Sequence, residues 1–306
     1  MRRNDIVHLG LLLAALAAAY VLPFELLLLS YAILGPVHYL TEISRLHDRG
    51  YFLPHRGIAL GLVAVAFGAM FIAEPYWSGV LLWSVLVACA IAATAPTVRR
   101  AVMLGTVAAA ITAAMVVVGV PFAVAGVLLP TFIHVSLFTL VFMTLGAIRA
   151  RSPAQAAIVG AYLLAIAAIL VVPPTRGMVL PGLARIGQEN FGSVAPALGS
   201  LVGMPNLAFG GRITGLLSFV YTYHYLNWFI KADVIRWNRI PRARLIGIVA
   251  VSAASTALYF YNYEIGILVL LLISLAHVLL EFPLNALSIG QLGTAVTGRG
   301  TARAAA

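Results

Sequence analysis

The chain has 306 residues, 62% of them hydrophobic and 9% charged, with a formal net charge of +10. Soluble domains carry about 25% charged residues, and this chain has too little polar surface to coat one. A soluble enzyme, a disordered chain and a nucleic-acid-binding domain are excluded despite the positive charge; the remaining fold class is an all-α polytopic membrane protein. The single cysteine, Cys89, rules out a disulfide framework and a thiolate metal site.

A membrane helix takes about 20 mainly apolar residues. In chain order, segments of that kind lie near 6–22, 24–45, 57–74, 77–96, 101–119, 122–148, 155–173, 212–231, 245–261 and 264–287. Met1-Arg2-Arg3 resembles the start of a signal peptide, but the small residues that follow make a poor cleavage site and further apolar segments come after, so the first segment reads as a retained helix. Pro23, Pro54, Pro75, Pro96, Pro121, Pro153, Pro173, Pro174 and Pro241 fall at or near segment boundaries, where a missing N–H is tolerated. Pro36 and Pro130 fall inside segments and should kink a helix or free a carbonyl.

The basic residues orient the spans, because cytoplasmic loops are enriched in Lys and Arg. With ten transmembrane helices and both termini cytoplasmic, all but three of the 19 basic residues fall on the inner side. The exceptions, Arg176, Arg185 and Arg212, lie in or beside the one long outer loop, 174–211. The positive charge then faces the anionic inner leaflet, as in a bacterial cytoplasmic membrane. The chain reads as one transmembrane domain, 1–306. Its Gly- and Pro-rich outer loop is expected to be a cap, a re-entrant segment or a plain connector. Asp233, with Lys231 and Arg236, reads as a solvated inner-loop cluster, and Glu25, Glu74 and Glu264 as interfacial.

Ionisable groups inside a membrane are costly and mark function. His8, His47 and His55 lie near segment ends and read as interfacial, with His47 close enough in sequence to Glu42 to join a site there. His38, His134, His224 and His277 lie in the second, sixth, eighth and tenth segments. All four of these segments run outside to inside, and at 1.5 Å per residue the histidines sit roughly 10–20 Å from the inner surface. Four imidazoles at comparable depth can converge on one point. Glu42 follows His38 by four residues and Glu281 follows His277 by four, so each pair shares a helix face. Imidazole and carboxylate without thiol suit iron, zinc or manganese. The same residues read individually as interhelical hydrogen-bonding groups. Tyr221, Tyr223, Tyr225 and Trp228 form either an interfacial aromatic belt or a substrate wall; Tyr225 and Trp228 are the candidates for substrate contact.

These segments resemble the Brp/Blh family of membrane β-carotene 15,15′-dioxygenases. The resemblance runs through Gly35-Pro36-Val37-His38-Tyr39-Leu40-Thr41-Glu42, Ile133-His134, the stretch from His224 to Trp237, and Ala276-His277 to Glu281. Tyr39 stands where the family has glycine and Glu42 where it has aspartate, and the third stretch carries one histidine where the family has two. The resemblance implies an O2-dependent oxidoreductase with non-haem iron and a long carotenoid or other lipid substrate drawn from the bilayer. His38, His134, His224 and His277 would bind metal, with Glu42 and Glu281 as further ligands or as catalytic groups orienting the histidines. Six donors also suit two ions, which raises the reading of a di-metal lipid hydroxylase or desaturase. A haem protein, and an ion or metal transporter using the same cluster, are the other readings.

Overall fold

The computed structural model describes all residues except 1–2, 73, 123–125, 127, 175–178, 202–209, 231–239 and 298–306. Lys231, Asp233 and Arg236 therefore lie outside the described residues. The described residues form helices with no strand among them. In chain order these are α1 (Arg3–Val21), α2 (Pro23–Leu29), α3 (Gly35–Asp48), α4 (Arg56–Ala69), α5 (Pro75–Thr94), α6 (Val98–Val118) and α7 (Leu128–Ile133). They continue with α8 (Thr139–Ala150), α9 (Pro153–Val171), α10 (Pro181–Phe191), α11 (Val194–Leu201), α12 (Gly210–Ile230), α13 (Arg242–Tyr261) and α14 (Tyr263–Thr297). A π turn, Ser30–Leu34, joins α2 to α3, and another, His134–Phe138, joins α7 to α8.

Local chemistry explains the boundaries. Pro23, Pro75 and Pro181 open α2, α5 and α10, where the first N–H has no intrahelical partner to lose. Thr97 caps α6 by accepting from the Arg100 N–H at 3.3 Å. Gly119 closes α6 with a φ of 81°, a left-handed conformation that favours glycine.

Among the described residues, eight helices are long and apolar enough to cross a membrane: Asn4–Val21, Pro23–Asp48, Pro75–Thr94, Val98–Val118, Pro130–Ala150, Pro153–Val171, Arg242–Tyr261 and Tyr263–Thr297. α6 buries none of its residues and exposes Val102, Val107 and Ile111, a surface fit for lipid. The other two expected spans differ. α4 has only 14 residues. α12 has 21 but is less apolar than the eight. The reason is visible in its packing: it runs among α1, α2, α9, α11 and the first π turn. A helix enclosed by protein can carry polar groups, and Thr214, Ser218, Thr222, His224 and Asn227 are all buried along it.

The chain divides into two compact units, 1–44 with 153–274 and 45–152 with 275–306. Two of the crossings fall inside helices, α3 and α14. In the first unit Leu28, Tyr31, Ala32, Tyr259 and Leu270 form a buried cluster, flanked by Leu183, Ile186 and Phe191 from α10. Part of the long outer loop is therefore helical and packed, with α10 against α2. Glu25 is buried rather than interfacial: its Oε1 accepts from the Leu180 N–H at 3.4 Å. In the second unit Ala66 and Ala69 pack with Leu82, Val85, Leu86, Cys89, Val278 and Leu279. Lipid tails are as apolar as leucine, so close packing of small residues, rather than the hydrophobic effect, holds such helices together.

Candidate metal centre

In the first unit the site residues come from α3 and α12. Pro36 has no N–H to give the Ala32 carbonyl four residues back, and the Thr256 hydroxyl donates to that carbonyl instead, at 2.7 Å. The preceding π turn adds one residue and rotates everything after it by about 100°. Prolines and wide turns thus set the face on which His38 and Glu42 lie. His38 and Glu42 are both buried, with Nε2 and Oε2 3.6 Å apart. The Nε2 atoms of His38 and His224 are 3.0 Å apart.

Aromatic residues hold His38 in place. His224, Tyr225 and Trp228 pack around its ring at centroid distances of 4.7, 5.0 and 5.5 Å. Tyr225 and Trp228 are themselves engaged. The Tyr225 and Tyr39 hydroxyls hydrogen-bond at 2.6 Å, and the Trp228 indole N–H donates to Thr41 Oγ1 at 3.1 Å. The Thr41 hydroxyl in turn donates to the carbonyls of Val37 and His38. Gly35 permits this arrangement: a Cβ there would lie 2.9 Å from the Tyr39 hydroxyl oxygen.

In the second unit the residues come from α14 and the second π turn. His277 and Glu281 share a face of α14, Nε2 to Oε2 at 3.4 Å. His134, the first residue of the π turn, places its Nε2 3.3 Å from the same Oε2. The two imidazole rings are 4.7 Å apart and nearly perpendicular. The carboxylate is 3% exposed, and its Oε2 takes no hydrogen bond. A further residue joins them. Asn285, one more turn along α14, is fully buried and contacts His134 Nδ1 at 3.4 Å. The amide Nδ2 is the atom that faces Nδ1 and donates to it; exchanging the two ends of the amide would let Nδ1–H donate to Oδ1 and leave the Nε2 lone pair for a metal. A metal-binding imidazole ordinarily has such a partner on its other nitrogen. The signal in the sequence was a second step of four residues, from Glu281 to Asn285 after that from His277 to Glu281. Pro283, inside α14, is a third internal proline beside a site residue.

The donors fit a metal ion. Imidazole and carboxylate bonds of about 2.0–2.2 Å put neighbouring ligand atoms about 2.8–3.6 Å apart in octahedral or tetrahedral geometry. The separations of 3.0 and 3.6 Å in the first unit, and 3.3 and 3.4 Å in the second, fall in that range. Buried carboxylates also need a compensating charge. The chain thus carries buried histidines and glutamates that could hold a metal ion.

His47 Nδ1 pairs with the Tyr51 hydroxyl at 3.1 Å, and His55 is exposed just before α4. Cys89 is buried in the apolar cluster. Comparison of the chain with family models, curated proteins and solved structures finds no match.

Proposed function

We propose that this protein is a membrane-embedded, O2-dependent non-haem iron oxygenase of the Brp/Blh kind, acting on a long carotenoid or other lipid. The observation that carries this reading is Glu281, a buried carboxylate facing two imidazole nitrogens at 3.3 and 3.4 Å without a hydrogen bond to its Oε2. His38, His134, His224 and His277 would serve as metal ligands, with Glu42 and Glu281 as further ligands or as groups orienting the histidines. The metal, when bound, supplies activation of molecular oxygen. The chain's own residues position it, exclude water, and present an aromatic wall, Tyr225 and Trp228, beside His38. An apolar substrate can arrive sideways from the bilayer without a water-filled channel. The ten-span topology with both termini cytoplasmic belongs to this reading, with α4 and α12 as the two additional spans.

The geometry supports non-haem metal over haem. Two imidazoles sharing a haem iron from opposite faces would set their Nε2 atoms about 4 Å apart, given metal–nitrogen bonds of about 2.0–2.1 Å. His38 and His224 stand at 3.0 Å, with ring centroids only 4.7 Å apart. A second enzymatic reading, a di-metal lipid hydroxylase or desaturase, draws on the number of buried donors, six. Co-expression with a carotenoid pathway separates the two: retinal or another cleavage product supports the oxygenase on carotene, and unchanged carotenoid with a hydroxylated or unsaturated lipid supports the second. A strong Soret band in the purified protein would sink both.

A further inference from the structure

In the first unit, α3 and the π turn before it lie against α13 with a groove between them. Its volume is about 470 Å³. Pockets that bury small molecules run roughly 300–1,000 Å³. Ile33 and Val37 form one wall, and Leu245, Ile248, Val249 and Ala253 of α13 form the other. Thr256 also lines it, but its hydroxyl is committed to the Ala32 carbonyl. No charged residue does. The groove is therefore a place for hydrocarbon. Ile33 and Val249 are exposed at its rim, and both belong to helices apolar enough to cross a membrane, so a chain can enter from the bilayer.

One turn beyond the groove the charge changes. Arg242, Leu245, Val249, Ser252 and Thr256 follow one another by three and four residues, a single stripe of α13. Arg244 lies four residues before Ile248, and its Nη1 donates to Ser44 Oγ of α3 at 3.1 Å, which ties it to the end of the groove. Helical side chains lean toward the N-terminus, so both guanidinium groups reach past the apolar stretch. The first turn of α13 holds no carboxylate, and a helix start favours an anion. From Leu245 to Ala257 the groove covers about 18 Å of helix at about 1.5 Å per residue. One leaflet is half of a hydrocarbon core about 30 Å thick, so the groove matches one acyl chain.

We propose that α3 and α13 hold one anionic phospholipid of the bilayer, with its phosphate on Arg242 and Arg244 and an acyl chain between Val37 and Val249. Arginine pairs with phosphate through two parallel N–H donors. The site uses none of the buried histidines or glutamates and stands apart from the metal reading.

The test is native mass spectrometry of the full chain in detergent, titrated with dioleoyl phosphatidylglycerol or dioleoyl phosphatidylcholine. The phosphatidylglycerol is expected to bind more tightly by about tenfold or more. Arg242→Gln with Arg244→Gln should abolish that preference, and Arg242→Gln alone, at an exposed position, should reduce it even if the double variant fails to fold. Ala253→Trp fills the groove and should remove both lipids. Ile246→Trp, exposed and outside the groove, should remove neither. Equal affinity for the two lipids, or a preference that survives loss of the arginines, overturns the headgroup site. Lipid binding unchanged by Ala253→Trp overturns the groove. Displacement of the phosphatidylglycerol by inorganic phosphate at equal concentration makes the site one for a free anion, and displacement by an uncharged carotenoid makes it a substrate passage; either result overturns the proposal.

Discussion

The Nε2 atoms of His38 and His224 stand 3.0 Å apart in a buried setting, although 186 residues separate them in the chain. Either one imidazole donates to the other or both lone pairs point to a shared cation. Metal analysis distinguishes these. Alanine at His38, His134, His224 or His277 should reduce bound metal at least tenfold while the protein still inserts and elutes as a folded species. Unchanged metal content in all four variants would leave the histidines as hydrogen-bonding residues only.

Asn285 touches His134 through Nδ1, the nitrogen that faces away from Glu281. Residues in that position typically contribute about 10–100-fold to metal affinity. Asn285→Leu should therefore weaken binding by about that factor without removing a ligand. Competition with a chelator of known affinity measures it, and an unchanged dissociation constant would assign Asn285 to packing alone.

Gly35 leaves room for the Tyr39 hydroxyl, which reaches Tyr225. A methyl group at 2.9 Å from that oxygen forces Tyr39 to move. Gly35→Ala should cost about 1–3 kcal/mol, the usual range for overpacking. Thermal unfolding in detergent would read it as a lowered midpoint, and the loss should shrink when Tyr39 is also changed to Phe.

Thr256 serves a carbonyl that Pro36 leaves without its usual partner. Thr256→Val should destabilise the protein by about 1–3 kcal/mol, since the Ala32 carbonyl is buried. With Pro36→Ala in place, the new N–H can satisfy that carbonyl, so the same change should cost less. A double-mutant cycle measures the difference. Equal costs in both backgrounds would separate Thr256 from the proline.

Composition alone settled the solvent: with so few charged residues, helices of this length belong in a membrane, and eight of the ten expected segments have the length and apolar character to cross one. The carboxylate partners of His38 and His277 were also legible, because a spacing of four on a helix is a local property and needs no knowledge of what the helix packs against. Packing between helices was not legible. Glu25 reads as interfacial by its place near a segment end, yet α10 folds back to bury it. α12 passes for an ordinary span, yet its neighbours enclose it and so permit its polar residues. The choice of His224 for His38 and of His134 for Glu281 depends on contacts between distant parts of the chain, and on π turns that rotate one helix face by about 100°. A periodicity of 3.6 residues specifies which side chains share a face; only the tertiary structure decides which faces meet.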